Sequence, residues 1–207
     1  MAYQLEVIDL TNLPPAQSVL SEREQAFFQT LKLPKRQTEW LGGRIALKKL
    51  VGVHTGVAAP CIEILPQTQS GKPQLLVNGQ KSTLSFSITH SHGYAVAAIS
   101  LDAKYMGIDL EKIAPRIKAW KQNFFHPTEL TDDTDEFLTT LWTQKEALVK
   151  LLGTGLAINS FDVRCVNGKV QFFRRALQIY QELGSPAIVL TNLSLLPGFA
   201  FTVALAN

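Results

Sequence analysis

The sequence predicts an α+β fold made of two similar units, and three observations predict it. Helical and strand patterns come in blocks, helices first, then strands, a long helix and strands again, rather than alternating singly as in a parallel α/β sheet. The pattern divides near residue 105, giving an N-terminal half over 1–105 and a C-terminal half over 106–207. With 207 residues, 46% of them hydrophobic and 18% charged, the chain has the apolar material for one large core or two small, closely packed ones.

Ser21 followed by Glu24 is a capping-box signal for a helix running to about Leu33, where Pro34 breaks the pattern. A second helix is expected from Arg36 to Val53, with Trp40, Leu41, Ile45, Leu47, Leu50 and Val51 as its buried stripe. Asn78-Gly79 marks a hairpin-type turn after the irregular stretch from Pro60 to Pro73. "LSFSITHS", "YAVAAISL" and "MGIDLE" read as three successive strands of a β-meander. A short helix near "HPTELTDD" and a long one from Asp135 to Leu152, capped by Gly153, follow. Strands resume in "FDVRCV", "KVQFFRRA", "AIVLTNL" and "FAFTVALA".

Charge and cysteine content narrow the function classes. A net charge of +3 is too small for general nucleic-acid binding. Six basic residues between Lys32 and Lys49 face one acid, Glu39, and the run "KIAPRIKAWK" contains none. Such runs are solvated faces or sites for an anionic ligand or partner. Cys61 and Cys165 have no CxxC spacing, so free thiols are expected. No apolar run long enough for a bilayer and no signal-like start are visible, which predicts a cytoplasmic protein off the membrane.

The chemistry concentrates in "GIDLEK", residues 107 to 112. In an extended strand Asp109 and Glu111 leave the same face, and two like charges so placed repel unless a cation lies between them. An exposed strand edge is the plainer reading. On the long helix Trp142, Glu146 and Lys150 follow at intervals of four, and Glu146 with Lys150 can equally be a surface ion pair. Taken together, Asp109, Glu111 and Glu146 form a hard-oxygen set suited to Mg²⁺. His90, with Thr89 and Ser91 at a strand end, is either a structural residue or a phosphate contact, and Lys72 projects from a Gly-Lys-Pro turn.

In order along the chain, "GKP" (71 to 73), "FSITHS" (86 to 91), "GIDLEK" (107 to 112), "WTQKEALVK" (142 to 150), "GTGL" and "SFDV" resemble the motifs of the 4'-phosphopantetheinyl transferases. The length and "KRQTEWLGGRIALKKL" resemble the larger, surfactin-synthetase-activating (Sfp) type more than the short trimeric holo-acyl-carrier-protein synthases. Where the family commonly has Asn-Ile-Ser-His-Ser, this chain has Ser87-Ile88-Thr89-His90-Ser91, which keeps a hydroxyl before the histidine.

The resemblance implies two halves related by a pseudo-twofold axis, a cleft for coenzyme A between them, and a monomer. It implies that Asp109, Glu111 and Glu146 hold Mg²⁺ on the coenzyme's pyrophosphate, and that Lys145 and Lys150 neutralise phosphate oxygens. It also implies that Thr89 and His90 contact phosphates, and that Lys72, Arg44 and Arg36 hold the nucleotide portion. The reaction implied is transfer of phosphopantetheine to a serine of an apo acyl or peptidyl carrier protein, releasing 3',5'-ADP, with Glu146 and Lys150 as catalytic residues. The segment from Lys112 to Lys121, with Trp120, Phe124 and Phe125, supplies charge and apolar surface for docking that carrier, although core packing is the competing reading of the aromatics. The rival functions are a metal-dependent nucleotide phosphohydrolase and a non-catalytic coenzyme A or carrier-binding module.

Overall fold

The computed structural model describes residues 1–66, 73–155 and 158–207. Among them the chain divides into two compact units, Met1–Asp102 and Ala103–Asn207.

Unit 1 opens with β1 (Tyr3–Asp9), which the sequence reading did not anticipate although Tyr3, Leu5 and Val7 alternate with polar Gln4 and Glu6. Then follow α1 (Glu22–Thr30), α2 (Pro34–Thr55), β2 (Ile62–Pro66), β3 (Pro73–Val77), β4 (Gln80–Lys81), β5 (Phe86–Ser91) and β6 (Tyr94–Ser100). The capping box forms as expected: the Ser21 hydroxyl accepts from the Glu24 amide, and the Glu24 carboxylate accepts from the Ser21 amide. The helix stops at Thr30, short of the expected end. Pro34 does not break it but opens α2, at a position where a helix N–H would have no partner in any case. One antiparallel sheet runs β1-β6-β5 and a second β2-β3-β4, with Asn78 and Gly79, both at positive φ, turning β3 into β4. Helix α2 lies on β6 and β1. It comes close because it presents glycines there: a Cβ at Gly42 would lie 2.1 Å from Leu10, and one at Gly43 would lie 2.7 Å from Ile88.

Unit 2 contains β7 (Tyr105–Lys112), α3 (Lys118–Phe124), a 3₁₀ turn (Pro127–Glu129), α4 (Asp135–Leu152), β8 (Val163–Val166), β9 (Lys169–Phe172), α5 (Arg174–Glu182), β10 (Ile188–Leu193) and β11 (Phe199–Ala206). Gly153 caps α4 in the left-handed conformation, where lack of a Cβ removes the steric cost. The sheet order is β10-β11-β7, and α4 packs on β7 and β11.

The meander predicted for the middle of the chain is not formed. β5 and β6 pair as a hairpin, but the second edge of β6 is taken by β1, and β7 pairs instead with the distant β11. The short helix expected near residue 126 is only a 3₁₀ turn. Part of "KVQFFRRA" is helical, because α5 places Ala176 and Ile179 three apart on one buried face.

Each unit repeats one plan: a first strand, a long helix, a hairpin, and two strands, of which the last lies in the middle of the sheet and pairs with the first. Trp120, Phe124, Phe125 and Trp142 pack edge-on and tilted against one another at centroid distances of 5.0 to 6.3 Å, so core packing is what the structure shows for these aromatics. Ile117 beside them is exposed. No helix among the described residues is long and apolar enough to cross a membrane.

Candidate active site

In unit 2, strand pairing and one glycine set the geometry. Gly107, Asp109 and Glu111 share one face of β7, and a Cβ at Gly107 would lie 1.9 Å from the Ala147 carbonyl oxygen. Glycine therefore lets α4 settle onto the strand. With the helix that close, the Lys150 ammonium donates to Asp109 Oδ1 at 2.8 Å and to the Ile108 carbonyl at 3.0 Å. The Glu146 carboxyl is pushed up to about 7, first by burial, then by the negative charge of Asp109, with a smaller push from Glu111 and a pull down from Lys150. Asp109 and Glu111 of the strand thus both bear on Glu146 of the helix. Arg116 Nη2 stands 3.9 Å from Glu111 Oε2, and its guanidinium lies over Trp120.

Among the described residues, no three or more His, Cys, Asp or Glu side chains form a ready metal cage. The donor set nevertheless suits magnesium, which takes one or two carboxylates and completes its shell with water and phosphate oxygens. A half-buried glutamate that burial first, and the charge of neighbouring acids second, push toward its protonated form is short of positive charge, which is the condition a cation relieves.

Lys145 is not aimed at these acids. Its side chain is 1% exposed, and its ammonium donates to Glu129 at 3.0 and 2.8 Å. Glu129 in turn accepts from the backbone amides of His126 and Cys165. Burial lowers the lysine's affinity for its proton, and Glu129 counters this. Glu146 and Lys145 line a cavity of about 300 Å³ together with Trp142, Val149 and Asn159.

In unit 1, Arg36, Glu39, Arg44 and His90 line another cavity, of about 260 Å³. Arg44 is 9% exposed, stacks its guanidinium 3.8 Å from the Trp40 ring centre, and has no partner for Nε among the described residues. Burial lowers its pKa to about 9; Glu24 raises it and Arg36 lowers it further. His90 Nδ1 and Glu39 Oε2 are 3.6 Å apart. Ile88 and His90 face this cavity from β5, so Thr89, between them, belongs to the opposite face, where it is buried. Lys72 lies outside the described residues. Sequence reading gave no site role to Glu39, Glu129 or Gly107: His90, Lys145 and Ala147, which they meet, are distant in the chain, and only the glycine of "GID" stood beside a recognised motif.

Comparison with known proteins identifies the family. Residues 105–189 match the family model of the 4'-phosphopantetheinyl transferase superfamily. A holo-[acyl-carrier-protein] synthase of Geobacillus sp. is 30% identical over 105 residues, which cover 48% of this chain and 87% of that protein. A putative 4'-phosphopantetheinyl transferase of Synechocystis sp. is 28% identical over 160 residues, covering 70% of this chain. The match spans only 61% of that longer relative's length. The crystal structure of Thermotoga maritima holo-[acyl-carrier-protein] synthase aligns with a TM-score of 0.39 at 26% identity, over 60% of this chain and 74% of that one. The chain belongs to the 4'-phosphopantetheinyl transferase superfamily.

Proposed function

We propose that this protein is an Sfp-type 4'-phosphopantetheinyl transferase. It uses Mg²⁺, takes the phosphopantetheine arm from coenzyme A, and places it on a serine of an apo acyl or peptidyl carrier protein. The observation that carries this reading is the grouping of Asp109, Glu111 and Glu146 around Lys150 on β7 and α4, within the segment that matches the family.

In this reading Asp109, Glu111 and Glu146 would hold the ion, which would supply neutralisation of charge on the diphosphate. Lys150, anchored on Asp109 and the Ile108 carbonyl, presents a positive charge fixed in direction to the same oxygens. In unit 1, Arg36, Arg44 and His90 suit a phosphate-bearing anion; the buried Arg44 favours one because its charge is poorly hydrated. Phosphoryl transfer depends chiefly on positioning and charge, and these residues provide both. The carrier's serine oxygen attacks the β-phosphorus, 3',5'-ADP departs, and Glu146 takes the serine proton directly or through water. The chain acts as a monomer. Lys145, sealed on Glu129, serves the fold in this account.

The test is incubation with coenzyme A, Mg²⁺ and a panel of apo carriers, read by mass spectrometry. Carrier gaining phosphopantetheine with release of 3',5'-ADP supports the proposal. Coenzyme A consumed equally without a carrier would instead establish a phosphohydrolase, and binding of either partner without turnover would establish a binding module.

A further inference from the structure

We infer that Thr202, acting through Thr143, is a positioning residue that sets the rotation of α4 and so the placement of Glu146 and Lys150 over Asp109. The inference rests on the reading of these acids as the ion site. Thr202 stands directly opposite Asp109 in the β11–β7 register, so both side chains leave one face of the sheet, toward α4. Both threonines are fully buried, and their Oγ1 atoms lie 2.8 Å apart. Thr202 Oγ1 also donates to Asn192 Oδ1 at 3.0 Å, which accepts from Gln144 on the same helix at 3.3 Å. Thr143 Oγ1 is 2.9 Å from the Thr140 carbonyl. Every hydroxyl in this chain of bonds has a partner.

Glu146 and Lys150 follow Thr143 by three and seven residues, so the three occupy one stripe of α4. Apart from Thr139, Thr143 and Lys145, the buried residues of α4 are apolar; Ala200 and Ala204 of β11 share a sheet face with Gly107 of β7, which lies against Ala147 and Leu151. Contacts of that kind hold a helix down without strongly fixing its rotation, whereas a hydrogen bond is directional. A pair of valines would fill the same volume, and replacing both partners of a buried bond by apolar groups of one shape is nearly neutral for stability. Stability alone therefore gives no reason for two hydroxyls here, but alignment of the catalytic stripe does.

The test uses the full chain with Thr202→Val, Thr143→Val, the double variant, and Thr202→Ser as the conservative rescue. Mg²⁺ binding in the presence of coenzyme A is followed by calorimetry, alongside thermal unfolding and transfer kinetics. Thr202→Val is expected to weaken Mg²⁺ binding by about tenfold, the scale of losses when a residue behind a metal ligand is changed. The double variant should be no worse than the single, because the two hydroxyls act as one unit. Thr202→Ser should restore binding, and the double variant should keep its melting temperature within a few degrees of the parent. Unchanged Mg²⁺ affinity in a folded double variant overturns the inference and leaves the ion site standing. A parent protein that binds no Mg²⁺ overturns both.

Discussion

Lys145 and Glu129 form a closed ion pair inside unit 2, with side chains 1% and 0% exposed. Lys48 and Glu24 form its counterpart in unit 1, also 1% and 0% exposed. The likeness extends to the surroundings. Each glutamate closes a capping box, with Ser21 in one unit and His126 in the other. Each also accepts from the backbone of a hairpin strand, at Ile64 in one and at Cys165 in the other. Breaking a buried pair by removing one partner strands the other charge and costs about 3–5 kcal/mol. Lys145→Ala is therefore expected to lower the denaturation midpoint strongly, while the coenzyme A KM of the folded fraction stays near that of the parent. A large KM rise without loss of stability would return Lys145 to the phosphate site.

Gly107→Ala should strain the interface between β7 and α4. The added methyl meets the backbone of Ala147 at 1.9 Å, so no side chain can give way. Overpacking of this kind costs about 1–3 kcal/mol and displaces Lys150 from Asp109. Urea unfolding together with transfer rate checks this: both should fall, and the rate should fall further than the loss of folded protein explains.

Lys112 and Lys118 are exposed on the basic segment, whereas Arg116 is engaged with Glu111 and Trp120. Reversing the two lysines to glutamate should raise the carrier KM several-fold, with a smaller effect at high salt, because rim charges act mainly on encounter. The coenzyme A KM should stay constant. Equal carrier KM values at low salt would remove this segment from docking.

The Cys165 thiol is pushed up to about 12, first by burial, then by Glu129, with Lys145 pulling the other way. At pH 8 it stays protonated and inert, while exposed Cys61 is open to alkylation. Mass mapping after iodoacetamide treatment should find label on Cys61 alone until the chain is unfolded. The sign of the linked stability follows from the raised value: above the ordinary thiol pKa of 9 the unfolded chain releases this proton and the folded one retains it, so stability drops as pH climbs from about 9 to about 12.

Local signals made parts of this fold legible. Ser21 with Glu24, Asn78-Gly79 and Gly153 each act within a few residues, and each formed as the sequence indicated. What escaped depends on partners far along the chain. β7 looked like the next strand of a meander, and only the occupation of β6 by β1 sends it to β11. Lys145 carried the charge expected of a phosphate ligand, but Glu129, sixteen residues away, holds it in the interior. α3 and α5 begin without a side-chain cap, which removes the usual starting signal. In the candidate site, the alternation in "GIDLEK" and the four-residue spacing of Glu146 and Lys150 were readable, whereas Thr143 and Thr202 passed as ordinary core residues.

The twin clamps on α2 and α4 also show how one scaffold can carry two different tasks. One and five positions past the clamping lysine, α2 bears Lys49 and Val53, and α4 bears Glu146 and Lys150. A helix moored from its buried side in this way tolerates a change of the side chains one and five positions further on, because the clamp that fixes its backbone does not involve them.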